Sequence, residues 1–185
     1  GPAHRVALSG LALPEAELFS TPLGKVAVDR DAVRGLLELA QVRVSEQAHE
    51  FEHSLEVHLP FLQTVLDDFT IVPLVVGQAT ADEVAEVLER VWGGPETLIL
   101  ISSDLSHYYD YKTAGRMDAG ATRAIERLDP AGLKEESACG RIAVGGLLLA
   151  AGHHGLSCTT LDVRNSGDTA GTREEVVGYG SYLFQ

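Results

Sequence analysis

Residues 69–76, Phe-Thr-Ile-Val-Pro-Leu-Val-Val, form a nearly continuous β-branched run. A strand of that composition needs cover on both faces. In residues 81–92, Val84, Val87, Leu88 and Val91 share one face, the period of an amphipathic helix. Residues 97–101 then repeat the buried-strand pattern, and the polar Ser102-Ser103-Asp104 follows directly. Strand, helix and strand in that order restrict the chain to an α/β sandwich around a central, largely buried sheet.

The flanking sequence agrees. Helices are expected over residues 29–39, 58–66, 114–128 and 141–151, with Pro60 at a tolerable first-turn position. Strands are expected at residues 5–8, 42–44, 155–163 and 176–184, and turns at Pro14 and at Thr21-Pro22-Leu23-Gly24. The longest apolar run, residues 142–151, is interrupted by Gly145 and Gly146 and is too short to span a bilayer; it reads as a buried core helix. No signal peptide is visible, and Gly1-Pro2 reads as native sequence rather than a protease scar.

Charge narrows the function. With 14 basic and 27 acidic residues the net charge is −13. Neither nucleic acid nor an anionic membrane surface suits such a chain, since both need a basic face. A hydrophobic content of 45% excludes disorder. Two cysteines, Cys139 and Cys158, are too few for a disulfide framework, so a reducing cytoplasm is expected.

Several motifs could carry chemistry. Ser102-Ser103-Asp104-Leu105-Ser106-His107-Tyr108 sits just past a buried strand, where α/β sheets bind ligands. One helical turn would put Asp104 and His107 on one face, where a carboxylate can orient an imidazole or share a metal with it. The plainer alternative makes Asp104 a helix N-cap and His107 an exposed polar residue. In residues 50–58, three carboxylates and two imidazoles crowd together; Glu52 and His53 read as functional, Glu50 and Glu56 as a solvated helix start. His53 and His58 are five apart, so HExxH is absent. Cys139 opens a small-residue helix, whose positive end favours a thiolate fit for a metal; the alternative is a buried small hydrophobe. Cys158 takes that second reading. His4 alone reads as surface, and His153 and His154 as caps of a helix C-terminus. Residues 165–169 form a polar turn whose role is geometry, with Asn165 or Asp168 making local backbone bonds.

Taken together, five stretches resemble the Memo family, known also as AmmeMemoRadiSam system protein B. They are Gly1-Pro2-Ala3-His4-Arg5; Glu52-His53-Ser54-Leu55-Glu56-Val57-His58-Leu59-Pro60-Phe61; residues 102–108; Cys139-Gly140-Arg141; and Asn165-Ser166-Gly167-Asp168 with Val177-Gly178-Tyr179-Gly180. The resemblance implies an α/β domain over residues 1–185, a central, mostly buried mixed sheet flanked by helices, similar to class III extradiol dioxygenases. It implies a pocket that binds iron or copper through two histidines and a cysteine. His4 matches one family histidine and Cys139 the cysteine; Asp104 and His107 match pocket residues; Glu52 and His53 match a motif beside them. The other family histidine lies in a Pro-His-Ala-Gly motif upstream of the Gly-Pro-x-His segment. No such motif occurs here, so the family domain is expected to be N-terminally incomplete and to expose a sheet edge open to pairing.

Three functions fit that resemblance. One is a metal-dependent, dioxygenase-like oxidoreductase with His4 and Cys139 as ligands and Asp104, His107, His53 and Glu52 as catalytic residues. A second is a non-catalytic adaptor for a peptide or small ligand. The third is an accessory component of a radical-SAM modification system. A homo-oligomer is a further expectation.

Overall fold

The computed structural model describes residues 1–169 and 171–185. Its elements run β1 (Leu11–Leu13), β2 (Leu18–Thr21), β3 (Gly24–Val28), α1 (Arg30–Leu36), β4 (Val42–Val44), α2 (Glu46–His49), α3 (Leu59–Val65), β5 (Thr70–Ile71), β6 (Val75–Val76), α4 (Ala81–Arg90), β7 (His107–Tyr109), α5 (Tyr111–Glu126), α6 (Arg141–His153), β8 (Cys158–Asn165) and β9 (Val176–Phe184).

The architecture is α/β with helices flanking sheets, but the strands do not join into one sheet. Among the described residues they form three, ordered β4-β1-β6, β2-β3-β5 and β7-β9-β8. The first two mix parallel and antiparallel pairs; the third is antiparallel. Pro73 explains one division. It cannot donate to a ladder, so residues 69–76 split into β5, which pairs with β3, and β6, which pairs with β1. Residues 97–101 have the composition of a strand and no ladder among the described residues. Ile99 and Ile101 pack on the core while Leu98 and Leu100 stay exposed. Residues 5–8 are not a strand; the buried β1 lies six residues further on.

The helices follow their local signals. Asp29 caps α1 and Ser45 caps α2. Thr80 and Glu83 form a reciprocal capping box at α4: Glu83 N donates to Thr80 Oγ1 over 3.1 Å, and Thr80 N to Glu83 Oε2 over 2.7 Å. Pro60 falls in the first turn of α3, where its missing N–H costs nothing. The apolar run around residue 147 is α6, a core helix. Its Gly146 lies so close to α4 that a Cβ there would sit 2.4 Å from Val84 Cγ1. The main core joins Leu11, Leu13, Val33, Leu36, Val84 and Val87. A second gathers Leu105, Ala121, Ile125 and Leu148 between α5, α6 and the turn before β7. No helix among the described residues is long and apolar enough to cross a membrane.

Candidate metal centre

Two clusters of metal-ligating side chains stand out. In each, the donor atoms lie within 4.8 Å of one another: Asp104, His107 and Cys139 form one, and His4, Glu52 and His53 the other.

The first cluster is assembled from the turn before β7 and the segment leading into α6. Gly140 is the N-cap residue of α6, which places Cys139 one residue outside the helix. Asp104 N donates to Cys139 Sγ over 3.2 Å, and Cys139 N donates to the Asp104 carbonyl over 3.2 Å. Ser103 Oγ accepts from Gly140 N over 2.9 Å and lies 3.8 Å from the sulfur. His107 Nε2 comes 3.6 Å from Asp104 Oδ2. The sequence put that pair together through a helical turn, and the route is different. Residues 101–106 are irregular, His107 opens β7, and Tyr108 takes a left-handed φ of 60° at a register shift against β9. Asp104 is therefore no helix cap; Asp110 takes that role for α5, accepting from Lys112 N and Thr113 N.

The second cluster rests on a buried carboxylate. Residues 1–3 run along β6 through a Pro2–Val76 bridge and an Ala3 N to Val76 carbonyl bond. This delivers His4 to Glu52, whose side chain is 2% exposed. Glu52 Oε2 accepts from His4 N (2.6 Å). Its Oε1 accepts from His53 N (2.8 Å) and Ser54 N (2.9 Å) and lies 3.0 Å from His4 Nδ1. Burial by itself would push the Glu52 carboxyl up, but the His4, Ser54 and His53 donors together hold it down, at about 2. An ionised carboxylate only accepts, so its bond with His4 requires the proton on Nδ1. That leaves His4 Nε2 as the atom free to ligate, the usual arrangement of a carboxylate-oriented histidine. The His53 ring stacks on His4 at 5.1 Å between centroids, and its Nδ1 is 3.5 Å from Glu52 Oε1. With four donors on its two oxygens, Glu52 is an anchor for His4 more than a ligand.

The six residues singled out in the sequence thus fall three and three. Among the described residues no group of three joins His4 to Cys139. The two segments are neighbours all the same: Pro2 and Ala3 share a cavity of about 290 Å³ with Cys139 and Gly140. His153 and His154 end α6 as expected, yet their rings reach Glu89 of α4 rather than the last carbonyls. Asn165 and Asp168 brace their turn reciprocally, as read from the sequence. Cys158 packs on the second core, where burial pushes its thiol up.

The sequence reading missed three residues. Ser103 holds the N-cap of α6, and only its place beside Asp104 could have flagged it. His58 is half-buried, and burial lowers its pKa while the Asp104 charge opposes that shift. Asp118 sits inside α5 at 2% exposure; the available signal was an acid on a helix face otherwise made of Ala114, Ala121 and Ile125.

The donor set, imidazole nitrogen, thiolate sulfur and carboxylate oxygen, fits a transition metal rather than magnesium or calcium. Fold and site define an α/β protein with histidine, cysteine and carboxylate donors grouped at a turn. The relatives give it a family. A model of Memo-like proteins matches residues 1–183. A MEMO1 family protein of Sulfolobus acidocaldarius is 34% identical over 197 residues, covering 100% of this chain and 69% of the relative. One of Saccharolobus solfataricus is 35% identical over 183 residues (91% and 64%), and one of Pyrobaculum aerophilum 34% over 199 (100% and 70%). The chain belongs to the Memo family. It spans between 64% and 70% of the length of these relatives.

Proposed function

We propose that this Memo-family chain contributes a metal-dependent redox centre, iron or copper, acting on a small substrate in the manner of a dioxygenase-like oxidoreductase. The observation that carries the reading is the grouping of Asp104, His107 and Cys139 donor atoms within 4.8 Å. Cys139, Asp104 and His107 would hold the metal, three of the roughly three or four ligands a stable site needs. Such an ion, when bound, supplies Lewis acidity and one-electron chemistry.

The chain's own residues supply the rest. Glu52 fixes the His4 ring and its tautomer. Asp104 faces His107 across 3.6 Å and orients its imidazole. The Asp104 N–H directed at Cys139 Sγ offsets negative charge on the sulfur. Similarity to extradiol dioxygenases belongs to this proposal as a fold-level likeness and transfers no chemistry alone.

The test is metal analysis with an oxygen-consumption assay on the purified chain and on a longer protein containing it. Iron or copper retained by wild type, with turnover lost in Cys139→Ala, supports the reading. Equal metal content and equal oxygen uptake in wild type and variant overturn it.

A second reading, a binding module, is favoured by Phe51, Phe61 and Val65, which are 71%, 73% and 75% exposed. It requires peptide binding that survives Cys139→Ala and fails in Phe61→Ser.

A further inference from the structure

We infer that Asp118 is a positioning residue for the metal-binding turn; the inference rests on the proposed reading of Asp104, His107 and Cys139. Asp118 is turned inward from the middle of α5 and is 2% exposed, on a face lined with alanines and Ile125. Burying a carboxylate there is costly, and an apolar residue would fill the space at no such cost. Among the described residues one hydrogen bond meets its side chain: Ser106 N donates to Asp118 Oδ1 over 3.0 Å, fully buried.

Ser106 lies between the two donors that matter, two residues after Asp104 and one before His107. Its carbonyl accepts from Gly178 N over 2.8 Å, and Leu105 N donates to the Gly178 carbonyl over 2.8 Å. The Ser106 hydroxyl is buried and has no hydrogen-bond partner among the described residues. The side chain of Ser106 therefore does not hold the turn. Its main chain does, anchored on one side by Gly178 and on the other by Asp118.

Gly178 belongs to the same device. A Cβ at that position would lie 2.3 Å from Asp118 Oδ2 and 2.5 Å from Oδ1. Only glycine lets β9 pass the carboxylate and still bond residues 105 and 106. Immediately beyond the anchor the chain bends into the positive φ of Tyr108, a conformation that non-glycine residues hold only when the surroundings enforce it. Asp118 thus fixes the path between Asp104 and His107, and with it the reach of His107 toward Asp104 and Cys139.

The experiment uses Co(II) as the probe, on wild type and on Asp118→Ala, Asp118→Asn, Gly178→Ala and Cys139→Ala. Circular dichroism checks folding. The thiolate-to-cobalt absorption reports the Cys139 bond, and hydrogen exchange reports the Ser106 amide. In Asp118→Ala the expected result is a Co(II) affinity lowered roughly 10–100-fold, a weakened thiolate band and faster Ser106 exchange. Asp118→Asn, whose amide oxygen still accepts, recovers all three. A purely structural residue would not change the thiolate band of a folded variant. Folded Asp118→Ala with an unchanged band and unchanged exchange overturns the inference. If Asp118→Ala does not fold, Gly178→Ala decides: a lost band supports the inference and an unchanged one overturns it. Should wild type show no band that Cys139→Ala removes, the metal reading itself has failed. Ser106 exchange in Asp118→Ala then decides the positioning role, faster exchange supporting it and unchanged exchange overturning it.

Discussion

Asp104 and Cys139 are tied by two reciprocal bonds: the Asp104 N–H donates to the cysteine sulfur, and the Cys139 N–H donates to the aspartate carbonyl, each over 3.2 Å. A main-chain donor thereby holds the sulfur in place. Cys139→Ser keeps the second bond and a similar volume but removes the soft donor. Stability is expected to stay within about 1 kcal/mol of wild type in urea unfolding. Bound iron or copper, measured by mass spectrometry after dialysis, is expected to fall at least about tenfold. Full metal retention in the serine variant would show that the sulfur is no ligand.

Glu52 gives a pH signature. Its ordinary value is 4.5, and the donors around it hold it near 2 in the folded chain. A carboxyl depressed by folding stabilises the fold fully above its unfolded value, and the contribution fades as pH falls through the folded one. It is worth on the order of 3 kcal/mol at neutral pH. Glu52→Gln leaves the His4, His53 and Ser54 donors without their charged acceptor, at a cost of about 2–4 kcal/mol at pH 7. Urea midpoints at pH 7 and pH 3 check this. The gap between wild type and variant narrows at pH 3, and a gap independent of pH contradicts the assignment.

Gly146 tests the α4–α6 contact. An added methyl meets Val84 Cγ1 at 2.4 Å and Val84 Cβ at 2.5 Å, between two helices already close-packed. Despite alanine's better helix propensity, Gly146→Ala is expected to cost about 1–3 kcal/mol. Gly152, near the end of the same helix, meets nothing within 4 Å. Gly152→Ala is expected to be neutral or stabilising by up to about 1 kcal/mol. The melting temperature of Gly146→Ala should fall while that of Gly152→Ala holds or rises, or the packing argument fails.

These contrasts show which features the sequence carries in readable form. The helices α4 and α6 were legible because apolar period, Thr80-x-x-Glu83 and the small residues at 145 and 146 are local signals. Strands β1 and β7 are three residues long and owe their state to partners 31 and 70 positions away, Leu11 with Val42 and His107 with Val177, for which no local pattern exists. Residues 97–101 had the right composition, but a strand also needs a ladder. The site divides the same way. Asp104 and His107 are close in sequence, so their meeting was readable even though an irregular turn into β7, not a helix, brings it about. His4 and Glu52 are separated by 48 positions, and their pairing comes from residues 1–3 lying along β6. Asp118 was hidden because a single acid in an amphipathic helix normally marks the wet face.

The last prediction concerns the far end of α6, where His154 stacks on Trp92 at 4.1 Å with planes 3° apart, and its Nε2 lies 2.8 Å from Glu89 Oε2. His153 Nδ1 approaches the other oxygen at 3.2 Å. The bonds from His154, with a smaller contribution from His153, hold the Glu89 carboxyl below its usual range. The carboxylate form is thus the one that clamps α4 to α6, and the clamp weakens as pH falls into and below the ordinary carboxylate range. The site is partly wet, so His154→Ala should cost only about 0.5–1 kcal/mol. Trp92 is the single tryptophan of the chain, which makes the loss visible. Its emission is expected to shift to the red in His154→Ala at pH 7 as the indole face gains water, while the wild-type spectrum makes the same shift only on unfolding. An unshifted variant spectrum would mean that the stack does not persist in solution.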